Sequence, residues 1–388
     1  MSHPRIHPRQ LAALTLIITL SLSVLTQAAS LPDPEQRGPL SVGVTTTLLV
    51  DHGRTDEGTQ GPRTLMTEIW YPATEVAKDM PPNDMMNFFA KGTNPIVLAV
   101  VKQAFNSDLV EVQKTFKNYA VRDAPILDGK YPLILFSHGN GGMRSQNAYW
   151  CEHLASHGYI VMAPDHTGNS CITTIDGKPI IYNTSDREGA AKARPLDISF
   201  LIDSMDRMNK GGDSRFFGRV EMDKIGVGGH SFGGYTSIAV ASSDDRVKAI
   251  VPMAGVMSEN SSQTCPALVL VATEDDTIGE ERNQEIRDYY DTITAEKYLV
   301  EFKNGGHYSF SEMYQFNPAF GDGCGEGKRI TDGTAITYVD MDTAYTMTNG
   351  YSTAFLGKIL KGQDDYAAYL KDNHNEKELT LKSAPEQK

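Results

Sequence analysis

Positive charge is scarce in this chain: 36 Lys and Arg stand against 49 Asp and Glu over 388 residues, a formal net charge of −13. A surface of that sign repels phosphate backbones and anionic lipid, which argues against nucleic acid as a partner. Cysteine is scarce too. The four present, Cys151, Cys171, Cys265 and Cys324, include no C-x-x-C pair, so a zinc or dithiol redox site has no support. Beyond the N-terminus no apolar run is long enough to span a bilayer, and no stable membrane insertion is expected. Internal repeats are absent.

What is present begins with a leader. Arg5 and Arg9 precede an uncharged apolar stretch, Leu11 to Leu25, and small residues follow at Ala28 and Ala29. That pattern predicts an export signal over residues 1–29, cleaved near Ala28 or Ala29, and a mature protein in the periplasm or secreted. The stretch is shorter than the roughly 18 residues a spanning helix needs. No cysteine stands at the cleavage site for lipid attachment. In an exported chain four cysteines permit two disulfides, and Cys151 with Cys171 and Cys265 with Cys324 is the expected pairing because it closes short loops.

The body of the chain, residues 40–361, reads as one α/β domain. Ser41 to Val50 and Thr64 to Tyr71 are β-branched and aromatic, as strands are. Residues 75–124 differ: helical spacing over Met85 to Ala90 and Pro95 to Tyr119 predicts a helical insertion, either a lid or a packed outer layer. From Tyr131 onward strands and helices alternate. Tyr131 to Ser137, Tyr159 to Pro164, Lys224 to Gly229, Val247 to Met253, Ala267 to Thr273 and Lys297 to Phe302 read as strands. Helices are expected at Gln146 to His157, at about Pro195 to Asn209 after a polar loop from Asp165 to Ala193, at Phe232 to Ser242, around Glu280 to Asp291 and near Tyr345 to Leu360. Continuous apolar strands alternating with helices predict a mostly parallel sheet covered on both faces. Residues 362–388 form a polar tail, expected to fray beyond about Glu376.

The chemistry is carried by Gly229-His-Ser-Phe-Gly233, a G-x-S-x-G run with a strand before it and a helix after it. In that context the serine is exposed on a strained strand-to-helix turn. Serine is a weak nucleophile unless a base takes its proton and an acid orients the base, and the order in this fold is Ser, acid, His. Downstream of Ser231 the histidines are His307, in a glycine turn after a strand, and His374 in the tail. His307 is therefore the expected base. Glu274, Asp275 and Asp276 cluster after the preceding strand, and Asp276 is the expected acid. The backbone N–H groups of Phe232 and Asn140 are the expected oxyanion donors, Asn140 lying in the glycine-rich run Ser137-His-Gly-Asn-Gly-Gly142. His138 and His230 precede the acid and are read as structural. No metal or organic cofactor is implied.

The runs Ser137 to Gly142, Gly158 to His166 and Gly229 to Gly234, with Glu68 to Pro72 and Arg194 to Asp197, resemble the dienelactone-hydrolase-like and platelet-activating-factor-acetylhydrolase-like branch of the α/β-hydrolases. Cutinase-like polyester hydrolases are similar in outline. The resemblance covers Ser41 to Leu360 and implies the α/β-hydrolase fold and an ester substrate, small or lipid-like. Position 231 is Ser where true dienelactone hydrolases carry Cys, which argues against that reaction. The stretch after the next strand, Ala249 to Gly255, has no carboxylate where the plasma acetylhydrolases carry their acid; Asp276-Thr277 instead resembles an Asp-Thr pair of the polyester hydrolases. Two rival readings remain at this level: a peptidase or amidase with the same triad, and a non-catalytic binding protein that keeps only the fold.

Overall fold

A computed structural model describes residues 30–56, 60–89, 95, 99, 102–103, 108–183, 186–255 and 264–384. The expected export signal, and most of the expected Pro95 to Tyr119 helix, lie outside the described residues.

Among the described residues ten strands form one sheet: β1 (Ser41–Thr55), β2 (Pro62–Ala73), β3 (Val121–Arg122), β4 (Tyr131–Ser137), β5 (Ile160–Pro164), β8 (Val220–His230), β9 (Val247–Met253), β10 (Ala267–Ala272), β11 (Lys297–Phe302) and β14 (Leu379–Ala384). Two hairpins stand apart, β6 (Ile172–Ile175) with β7 (Lys178–Ile181) and β12 (Glu326–Lys328) with β13 (Ala335–Thr337). The sheet order is β14-β11-β10-β9-β8-β4-β5-β2-β1-β3. Strands β5, β4, β8, β9, β10 and β11 run parallel, flanked by antiparallel β2 and β14. The chain leaves β4 for β5 on one side and returns to place β8 on the other. The crevice beyond the ends of β4 and β8 is thus the switch point where ligands bind in such sheets.

The continuous apolar strands divide by alternation. Ile134, Phe136, Val161, Val251, Leu270 and Val300 face one core. Leu133, Leu135, Met162, Val227, Val269 and Leu299 face the other. The first core is closed by α2 (Ala148–Ser156) and α6 (Met341–Lys361), whose Trp150, Leu154, Tyr351 and Phe355 belong to it. The second is closed by α3 (Arg187–Lys210) and α5 (Gly279–Thr292) through Ile198, Leu201, Ile202, Ile286 and Tyr290. Between β8 and β9 runs α4 (Phe232–Ala241).

Four expectations change. Helix α3 begins at Arg187, two turns before the expected start, with Asp186 accepting the Gly189 N–H and Pro195 inside the helix rather than at its first turn. The loop expected over Asp165 to Ala193 contains the β6–β7 hairpin. The tail does not fray at Glu376: β14 pairs antiparallel with β11, because Leu379 turns inward to the core while Thr380 and Lys382 stay exposed. The expected disulfides are not formed. All four cysteines are free thiols. Cys151 is committed to the core face of α2, and Cys324 Sγ lies against Met341 Sδ at 3.5 Å.

In the insertion the described residues form short turns at Glu75–Asp79 and Met85–Phe88, helix α1 (Leu109–Thr115) and β3. Phe88 and Phe116 are buried with ring centroids 6.3 Å apart, and Phe116 meets Phe316 at 5.8 Å. This part is a packed layer over the first core.

Two consequences of this packing are measurable. Leu379 is fully buried, so Leu379→Ala should cost about 2–5 kcal/mol and lower Tm by several degrees; an unchanged melt would mean β14 is dispensable. Glu312 accepts the Tyr149 N–H at 3.0 Å and so ties the segment after β11 to α2. Burial pushes its carboxyl up to about 8. The folded chain then holds this proton more tightly than the unfolded chain, where the pKa is about 4.3. The resulting stability is complete below about 4.3 and is lost as pH rises to about 8. Glu312→Gln should therefore flatten the fall of Tm between pH 5 and 9, and identical pH profiles for the two proteins would refute the coupling.

Candidate active site

Strand β8 delivers Ser231 to the switch-point crevice in a forced conformation, φ 57° and ψ −118°. A non-glycine residue there costs on the order of 1–3 kcal/mol. The turn is so tight that a Cβ on Gly233 would stand 1.8 Å from the Ser137 carbonyl oxygen, and one on Gly229 would stand 2.2 Å from that of Gly233. Both flanking glycines are thus required by space. Ser231 N–H donates to the Met253 carbonyl at 2.8 Å, which fixes the elbow to β9. Phe232 opens α4, so its N–H has no acceptor within the helix and carries the positive end of the helix dipole.

His307 follows β11 and is buried at the same edge. Its Nδ1–H donates to Asp275 Oδ2 at 2.7 Å. The carboxylate on the ring is therefore Asp275 and not Asp276. Asp275 Oδ1 accepts the Ile278 N–H at 3.0 Å, a local turn that rolls this side chain inward to full burial and leaves Asp276 exposed in solvent. Glu274 is taken by Arg329 and the Ile330 N–H. Ser231 Oγ makes no side-chain hydrogen bond among the described residues.

His230 and His138 are structural, each saturated by fixed partners. His230 Nε2–H donates to the His307 carbonyl and Nδ1 accepts from Gln146 Nε2, both at 2.8 Å. Burial, aided by His307, pushes its pKa well down, so it stays neutral. His138 Nε2 accepts the His166 N–H at 3.1 Å, which leaves the proton on Nδ1 facing the Gly139 carbonyl at 2.6 Å. Asn140 stands exposed at the crevice; its side chain donates to Tyr182 Oη and accepts from Asn169.

A second Ser-His-Asp array lies beneath the first. Ser137 Oγ meets His166 Nε2 at 2.9 Å, and His166 Nδ1 meets Asp197 Oδ2 at 2.9 Å. All three residues are completely buried, so no substrate reaches them. Motif reading missed this array, and it missed Gln146, which also accepts the Gly139 N–H at 3.0 Å. Neither carries a sequence signature of its own. A cavity of about 650 Å³, bordered by Arg54, Thr167, Asn169, Ile181, Arg194 and Leu196, adjoins the Asn140 loop.

Residues 126–321 match the family model described as PET hydrolase-like. Residues 26–190 match that of platelet-activating factor acetylhydrolase, isoform II. The chain is similar to the platelet-activating factor acetylhydrolase of Cavia porcellus, 27% identical over 269 residues, which cover 61% of this chain and 60% of that protein. It is also similar to cutinase est1 of Thermobifida alba, 26% identical over 189 residues, 48% of this chain and 56% of that one. The matched length is thus about three fifths or less of these curated relatives. In three dimensions it resembles a ferulic acid esterase from Streptomyces cinnamoneus with a TM-score of 0.66 at 24% identity, over 84% of this chain and 92% of that one, a likeness of fold. With just over half its length inside the first of these models, the chain belongs to the PET hydrolase-like family.

Proposed function

We propose that the protein is an exported serine esterase that cleaves carboxylic esters through an acyl-enzyme on Ser231. The observation that carries this reading is the strained Ser231 elbow next to the buried His307–Asp275 pair, the adjoining His230 being bonded to the His307 carbonyl at 2.8 Å. His307, held by Asp275 as the Nδ1–H tautomer, takes the Ser231 hydroxyl proton on Nε2 as Oγ attacks the ester carbonyl. The oxyanion so formed accepts the N–H groups of Phe232 and Asn140. When the tetrahedral adduct collapses, the proton on Nε2 passes to the leaving alcohol. Water, deprotonated by the same ring, then releases the acid and restores the serine.

Both named relatives act on esters by their printed names, an acetylhydrolase and a cutinase, which supports an ester over an amide. The leader pattern at Arg5, Arg9 and Leu11 to Leu25 supports export. No helix of the described residues is long and apolar enough to cross a membrane.

Hydrolysis of p-nitrophenyl esters from acetate to palmitate, by wild type beside Ser231→Ala, tests the reading. Turnover by wild type with loss of several orders of magnitude in the variant is expected. No turnover by wild type on any chain length would refute it. The acid assignment has its own test. Asp275→Asn should lower kcat by about 10⁴-fold through the wrong histidine tautomer, while Asp276→Asn should stay near wild type. The reverse ranking would return the role to Asp276. For export, mass spectrometry of the mature N-terminus should place the first residue at Ala29 or Ser30; an intact Met1 on extracellular protein would contradict cleavage.

A further inference from the structure

Arg194 is completely buried, yet among the described residues no carboxylate lies in ion-pair reach of its guanidinium. A buried cation without a bonded counter-charge is costly and calls for a reason. Its acceptors are backbone carbonyls of the loop after β4, and Nη2 also lies 3.1 Å from His138 Nδ1, which shares the Gly139 oxygen with it. Nη1–H donates to the His138 carbonyl at 2.7 Å and Nη2–H to the Gly139 carbonyl at 3.0 Å. The guanidinium carbon lies 4.5 Å from the Phe232 ring centroid.

A peptide unit is planar, with its C=O and N–H pointing in opposite directions. The Gly139 carbonyl and the Asn140 N–H belong to one such plane. Whatever fixes that carbonyl therefore aims that N–H. Three donors converge on the Gly139 oxygen: Arg194 Nη2–H, His138 Nδ1–H at 2.6 Å and Gly142 N–H at 3.1 Å. The plane before it is pinned the same way, by Arg194 on the His138 oxygen and by Gln146 Oε1 on the Gly139 N–H. Donors on a carbonyl also polarise the N–H across the same amide. We infer that Arg194 is the positioning residue of the oxyanion site: its fork holds two successive peptide planes so that Asn140 N–H faces the crevice, while its flat face supports the residue that supplies the other donor.

Burial lowers the Arg194 pKa to about 9, so the fork stays charged at neutral pH. Asp197, one turn further along α3, supplies a counter-charge without contact. Only an arginine serves. A lysine ammonium is a point donor and cannot bridge two carbonyls in one plane.

The inference rests on the esterase reading, and its test separates the two. Wild type, Arg194→Lys and Arg194→Gln are compared for kcat and KM on p-nitrophenyl butyrate, for Tm, and for affinity to an alkyl boronic acid, which forms a tetrahedral adduct on the serine. Removing one oxyanion donor costs roughly 10²–10³ in kcat, so both variants should lose about 10²-fold in kcat with KM within about twofold. Boronate affinity should fall by the same factor as kcat/KM. A merely structural role would lower Tm without moving boronate affinity in step with kcat, and that result overturns the inference. So does wild-type kcat in the lysine variant. If wild type fails to turn over the ester, the esterase reading fails instead, and boronate affinities still report on Arg194.

Discussion

The whole site depends on the close approach of two chain segments at the ends of β4 and β8. Ser137 ends one strand, and its carbonyl oxygen sits where a side chain on Gly233 would have to be. That contact lets α4 start directly against the loop after β4. Ser231, held at positive φ between them, is the residue for which the turn is built. The strain is tolerated because the neighbours leave no alternative: Ser231 N–H is bonded to β9, and Gly229 packs on Gly233.

Behind this elbow the interior is polar to an unusual degree. Asp197 receives Arg63 in a two-point bond, at 3.0 and 2.6 Å, together with His166 and Arg54. Burial would push the Asp197 carboxyl up, but the Arg63 charge and the bonds from His166 and Arg63 hold it below its ordinary value. Arg63 also holds Asp56 and the Thr167 carbonyl. One network thereby ties β2, the loop after β5 and α3 to the strand end that carries the oxyanion loop. Buried ion pairs add little net stability, yet breaking one costs about 3–5 kcal/mol. Such a network fixes geometry, and geometry is what an oxyanion site needs.

The parallel core was legible because its strands are continuous apolar runs, and Tyr131–Ser137 and Lys297–Phe302 were read to the residue. Ser231 was legible because its motif demands glycines at fixed spacing, and His307 because few histidines follow it. Asp275 was not. Three consecutive carboxylates offer equal chemistry, and which one points inward is decided by the Asx turn onto Ile278, a side-chain contact with no sequence period. The edge strand β14 was hidden by its polar composition, since one buried leucine is enough to seat it. Helix α3 was shortened because Pro195 is usually a first-turn residue, whereas here the helix runs through it.

The most direct test of the central claim is the site of the acyl group itself. Wild type would be mixed with p-nitrophenyl acetate, quenched in acid within the first turnovers and digested for mass spectrometry. One acetyl group is expected on the peptide that contains Ser231 and none on the peptide that contains the buried Ser137. An acetyl group on any other residue, or turnover with Ser231 unmodified, would contradict it.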